Sequence, residues 1–226
     1  MYKAIVFDLD DTLYEYESLN REAIHMVYDY SCKQLEISES AFESILNHAK
    51  NEVKKVLKDT ASSHNRLLYF QKMLEYLEKC PTDLALNMYE IYWNHILDNM
   101  VLRDGALELL TYCRQREIKI GICTDLTVHI QHRKLKRLGI DKLVDAIVTS
   151  EEAGKEKPSE IIYQMILSKL KVTPEDALFI GDNLEKDVEG PQHIGMKTLW
   201  LHSCKDKLFP TISNLNEIRG ILDENK

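Results

Sequence analysis

Glycine and proline are sparse in this chain, with eight and five among 226 residues. Residues 15 to 97 hold no glycine and a single proline, Pro81, so that stretch has few of the signals that make turns. The five cysteines (Cys32, Cys80, Cys113, Cys123, Cys204) form no C-x-x-C pair. That argues against a zinc site or disulfide framework and for reduced thiols in the cytoplasm. No apolar run approaches the roughly 20 residues that cross a bilayer. Acids begin at Asp8, which leaves no apolar core for a signal peptide. Cations are outnumbered, 29 Lys and Arg against 37 Asp and Glu. A net charge of -8 speaks against nucleic acid or an anionic membrane as partner. A cysteine phosphatase needs an arginine six positions after its cysteine, and His129 stands there after Cys123.

What the chain does have is two textures. From Leu102 onward, short apolar runs alternate with stretches of helical periodicity. "IKIGIC" (118 to 123), "DAIVTS" (145 to 150), "ALFIGD" (177 to 182) and "KTLWLH" (197 to 202) predict buried strands. Residues 105 to 116, 127 to 138, 159 to 170 and 186 to 194 predict the helices between them. That alternation indicates a parallel sheet with crossover helices, to which "AIVF" (4 to 7) adds a strand. Residues 15 to 97 instead carry apolar residues at i, i+3, i+4 and i+7, as in "LLYFQKMLEYLEKC". The expectation is an α/β, Rossmann-like core domain of residues 1-14 and 98-226, interrupted by an all-helical domain of about four helices at 15-97.

Ligands of parallel sheets bind at the carboxyl ends of strands, and four predicted strand ends carry unusual residues. The first runs Asp8-Leu9-Asp10-Asp11-Thr12, three mutually repelling acids that need a positive partner. The second ends in Thr124-Asp125. The third is followed by "EEAGKEKP", with Lys155 and Lys157 before Pro158. A later one ends in Gly181-Asp182-Asn183, with Asp187 beyond. Asp8 and Asp182 offer hard oxygen ligands suited to Mg²⁺, and a lysine neutralises what the metal does not. A carboxylate can attack phosphorus, and a second one two residues on can move the leaving-group proton.

With those four segments in order, the sequence resembles the haloacid dehalogenase superfamily, in the subgroup with a helical cap after the first strand. D-x-D-x-T is met by Asp8, Asp10 and Thr12, the Thr motif by Thr124, the lysine by Lys157 and G-D-x-x-x-x-D by Gly181, Asp182 and Asp187. The resemblance implies a Mg²⁺-dependent phosphatase of a small phosphorylated metabolite. It makes Asp8 the nucleophile and Asp10 the general acid/base. Asp8, the Asp10 carbonyl and Asp182 would hold Mg²⁺, with Asp187 in support. Thr124, the Asp125 N–H, Lys157 and Thr12 would receive the phosphoryl group. Tyr14 and Tyr16 fall where the family has its hinge. The family usually has Asn-Gly after the threonine, and this chain has Asp125-Leu126.

The same motifs serve phosphosugar mutases, which stay open as an alternative, as does a catalytically silent binding protein. A dehalogenase needs neither a second aspartate nor a metal. Specificity is expected from the helical insertion. There Arg66, with a planar charge fit for carboxylates or sugar hydroxyls, is the candidate that reads the rest of the substrate.

Overall fold

The computed structural model describes residues 2–204 and 206–224. In chain order they form β1 (Ala4–Phe7), α1 (Tyr16–Leu35), α2 (Glu39–Leu57), α3 (Arg66–Tyr76), α4 (Pro81–Asn99), α5 (Ala106–Gln115), β2 (Lys119–Thr124) and α6 (Val128–Arg137). There follow β3 (Ala146–Thr149), α7 (Ser150–Ala153), α8 (Glu160–Leu170), β4 (Ala177–Gly181), α9 (Gly190–His193), β5 (Lys197–Leu201), β6 (Thr211–Ile212) and α10 (Glu217–Glu224). The chain divides into two compact units, Met1–Glu15 with Val101–Lys226, and Tyr16–Met100.

The first unit is built on a six-stranded sheet of order β3-β2-β1-β4-β5-β6, parallel throughout. β1 and β4 are fully buried, and all but the first residue of β2 is too. These strands therefore read as continuous apolar runs rather than alternating ones. Ala4, Val6, Cys123 and Phe179 share a core with Ile162, Tyr163, Ile166 and Leu170 of α8. Gly121 allows the close approach: a Cβ there would come within 2.9 Å of the Leu170 side chain. Because the strands run parallel and β1 is central, the ends of β1, β2 and β4 lie side by side. The first crevice of charge in the sequence thus sits in the middle of the sheet.

The second unit is all helical, with α1 packed on α4, α3 on α4 and α2 on α3. Asn65 starts α3 by accepting a hydrogen bond from the Leu67 N–H at 2.9 Å, the usual job of an Asn at a helix N-cap. Pro81 opens α4 at its first turn, where its missing N–H costs nothing. Phe70, Met73, Tyr92, Trp93 and Ile96 fill this unit's interior.

Candidate active site

β1 ends at Phe7, and the next residue carries the site's central carboxylate. Asp8 is buried, and its N–H is tied to the Ile180 carbonyl at 2.9 Å. Lys157 donates to Asp8 Oδ1 at 2.7 Å and to Asp187 Oδ1 at 2.6 Å. The Thr12 hydroxyl lies 3.4 Å from Asp8 Oδ2 and 3.2 Å from Asp182 Oδ1. Asp8, Asp182 and Asp187 each bring one oxygen within 4.8 Å of the others. Three hard oxygen donors so close, with one lysine between two of them, fit a small divalent cation such as Mg²⁺.

The electrostatics agree with that fit. Burial pushes the Asp8 carboxyl well above its ordinary range; Lys157 opposes this, while Asp187, Asp182 and Asp10 add to it. Burial, then Asp187 and Asp11, push Asp182 up to about 6. Burial pulls Lys157 down, but Asp187 and Asp8 outweigh it and its ammonium is held well above the usual lysine range. One ammonium is not enough for this many carboxylates, and a cation would relieve them.

Asp187 reaches the cluster because the chain after β4 takes a π-helical turn over Leu184–Glu189, a form that recurs at functional sites. Its Oδ2 accepts from the Asn183 N–H at 3.0 Å. Gly181 makes room for it, since a Cβ at that position would lie 2.4 Å from Asp187. The side chain of Asp182 is only part buried, and its carbonyl is fixed by the Trp200 indole at 2.7 Å.

The Asp125 side chain, which the family pattern does not anticipate, turns to cations and backbone. Lys186 meets its Oδ2 at 2.8 Å, and the Lys157 N–H meets its Oδ1 at 3.0 Å. It thereby ties the lysine loop to the end of β2. Leu126 stands where the family usually has glycine, and its backbone does adopt the left-handed region, at φ 90. A branched side chain there is strained; its N–H is held by the Ser150 hydroxyl at 2.9 Å.

Asp10 faces a different set of partners. Its carboxylate is met by Lys134 at 2.7 and 2.8 Å and by the Tyr14 hydroxyl at 2.6 Å. Gln131, three residues before Lys134, donates to Thr124 Oγ1 at 2.6 Å and to the Asp125 carbonyl at 2.8 Å. The sequence pattern singles out neither Gln131 nor Lys134. Lys155 is exposed and takes no part in the cluster, and His129 and His132 are exposed on α6. Cys123 is a buried strand residue whose thiol burial pushes up.

Arg66 belongs to the helical unit. Its guanidinium donates to the Tyr92 hydroxyl at 3.2 Å, to the His64 carbonyl at 2.6 Å and to the Tyr16 hydroxyl. The rings of Tyr16, Tyr69, Tyr92 and Trp93 stand 5.5 to 5.9 Å from it. It lines a cavity of about 230 Å³ together with Asn20, Lys50, Lys54 and His64.

Residues 2–195 match the model of the haloacid dehalogenase-like hydrolases, and the chain belongs to that family. It is 35% identical over 208 residues to a ribulose-1,5-bisphosphate 5-phosphatase of Halopiger xanaduensis, covering 88% of this chain and 84% of that one. It is 31% identical over 208 residues to a glyceraldehyde 3-phosphate phosphatase of Methanopyrus kandleri, covering 91% and 86%. The fold matches a haloacid dehalogenase-type phosphatase of Thermococcus onnurineus at TM-score 0.76 and 26% identity, over 97% of each chain.

Proposed function

We propose that this hydrolase is a Mg²⁺-dependent phosphatase of small phosphorylated metabolites, with short phosphorylated sugars as its substrate class. The observation that carries the reading is the Asp8 carboxylate at the end of the central strand. It is paired with Lys157 and clustered with Asp182 and Asp187. Relatives acting on ribulose-1,5-bisphosphate and glyceraldehyde 3-phosphate support the substrate class.

In this reading one Asp8 oxygen bonds to phosphorus as the ester P–O bond breaks, giving an aspartyl-phosphate. Asp10 gives its proton to the departing oxygen. Its carboxylate then takes a proton from water, whose oxygen attacks the phosphorus and frees phosphate and Asp8. Lys157, Thr12, Thr124 and the Asp125 N–H receive the phosphoryl oxygens. Asp8, the Asp10 carbonyl and Asp182 would hold Mg²⁺, with Asp187 in support. When bound, the ion supplies positive charge against the carboxylates and the transferring group. The helical unit acts as the cap, and Arg66 binds the leaving group. Its partners are neutral, so its charge stays available to an anion. We assign the enzyme to the cytoplasm, an assignment its five unpaired cysteines support.

Phosphate release from a panel of triose, pentose and hexose phosphates, with Mg²⁺ and with EDTA, tests this. Mg²⁺-dependent turnover concentrated on a few sugar phosphates is expected. No release from any of them, or equal release in EDTA, would overturn it.

A further inference from the structure

Lys134 is a lysine with no exposure at all. An ammonium taken out of water is costly unless close, well-aligned partners offset the loss of hydration. Here they are: both oxygens of Asp10 lie within 2.8 Å, and the Tyr14 ring lies 5.7 Å away. The Tyr14 hydroxyl meets the same carboxylate at 2.6 Å. Two donors on one carboxylate, one of them touching both oxygens, fix the plane of the group as well as its place.

An ion pair that served only the fold could join any two elements. This one ends two residues from Asp8, on the acid that the cluster of Asp8, Asp182 and Asp187 leaves out. The helix that supplies it is also committed. Gln131 and Lys134 are both fully buried and three residues apart, so they share one face of α6. Gln131 holds Thr124 while Lys134 holds Asp10.

We propose that Lys134, with Tyr14 beside it, is a positioning residue for this phosphatase, aiming the Asp10 carboxylate for proton transfer. The proposal rests on the phosphatase reading above. Lys134 forms no bond to the substrate, and Asp10, not Lys134, gives the proton to the leaving group and takes one from water.

Lys134→Met keeps length and removes the donors. Its kcat on an alkyl phosphate, whose leaving group needs a proton, should fall roughly a hundredfold, the scale for a misplaced catalytic group. KM should hold. The rapid-quench burst of phosphoenzyme from p-nitrophenyl phosphate, which needs no proton, should stay within about threefold. In an Asp10→Asn background, Lys134→Met should cost no more than about twofold, because its route is already gone. Tyr14→Phe, a smaller change, should give the same pattern more weakly and stands in if Lys134→Met does not fold. Equal losses in both backgrounds, or a burst that falls as far as kcat, would make the pair structural and overturn the proposal. A wild-type enzyme that releases no phosphate with Mg²⁺ would fail earlier, on the phosphatase reading itself.

Discussion

Asp8 takes its burial from β1 and its charge balance from Lys157. Asp8→Asn keeps the size and one hydrogen-bonding oxygen but removes the charge that attacks phosphorus. Phosphatase activity should drop to background while circular dichroism and the melting profile stay those of a folded protein; turnover by a folded Asp8→Asn would sink the covalent route. Arg66 lends itself to a different kind of test. Arg66→Ala removes donors worth about 1.5–3 kcal/mol when the partner is charged. That corresponds to a loss of roughly ten- to a hundredfold in kcat/KM on the preferred sugar phosphate. A small aryl phosphate should be hydrolysed nearly as before. Because Arg66 also knits Tyr16, Tyr92 and the His64 carbonyl together, a thermal melt must accompany the kinetics. Equal losses on both substrates would assign it to the fold alone.

Among the elements, the turn after β4 depends on the absence of a side chain. Gly181→Ala would drive a methyl group into Asp187, and the turn would have to open. Overpacking of this kind costs about 1–3 kcal/mol, and Asp187 would leave the cluster. A lowered melting point together with a raised Mg²⁺ requirement is the expected pair of results, and an unchanged Mg²⁺ titration would mean that Asp187 is not needed there. The strand ends were legible because buried parallel strands are continuous apolar runs, so an acid that ends one stands out. Asp8, Thr124 and Asp182 all lie at such breaks. α6 was legible as a helix but not as a contributor to the site. Its sequence, VHIQHRKLKR, holds four Lys and Arg residues, and nothing in that string says that Lys134 alone turns fully inward. β6 is two residues long, too short for any period to announce it. The Asp125 side chain was unreadable for another reason: its partner Lys186 lies across the sheet, 61 residues away in sequence.

For the molecule as a whole, the crowded carboxylates make stability depend on pH and on a cation. Asp182 moves from 3.8 to about 6 on folding, so the folded chain holds that proton more tightly than the unfolded one. The associated stability is fully present below pH 3.8 and is lost as pH rises through about 6; Asp8 shifts the same way. Without a divalent ion, the melting temperature should therefore decline between about pH 4 and 6 on account of Asp182, with Asp8 acting in the same direction. Mg²⁺ binds the ionised form, so the stabilisation it adds should be larger at about pH 7.5 than at about pH 5. Differential scanning fluorimetry with Mg²⁺ and with EDTA at both values reads this directly, and a Mg²⁺ effect independent of pH would contradict it.

The order of the strands also bears on how the protein is made. β1 leaves the ribosome before either of its partners, yet it is central, and those partners, β2 and β4, begin at Lys119 and Ala177. More than a hundred residues must be polymerised before the first neighbour arrives. At typical synthesis rates that is a wait of roughly 5–20 s. Throughout it, the apolar segment Ala4–Phe7 has no sheet to join, while all four helices of Tyr16–Met100 emerge ahead of its partners. The nascent chain therefore carries an apolar strand without sheet partners throughout that interval, a natural target for a ribosome-associated chaperone.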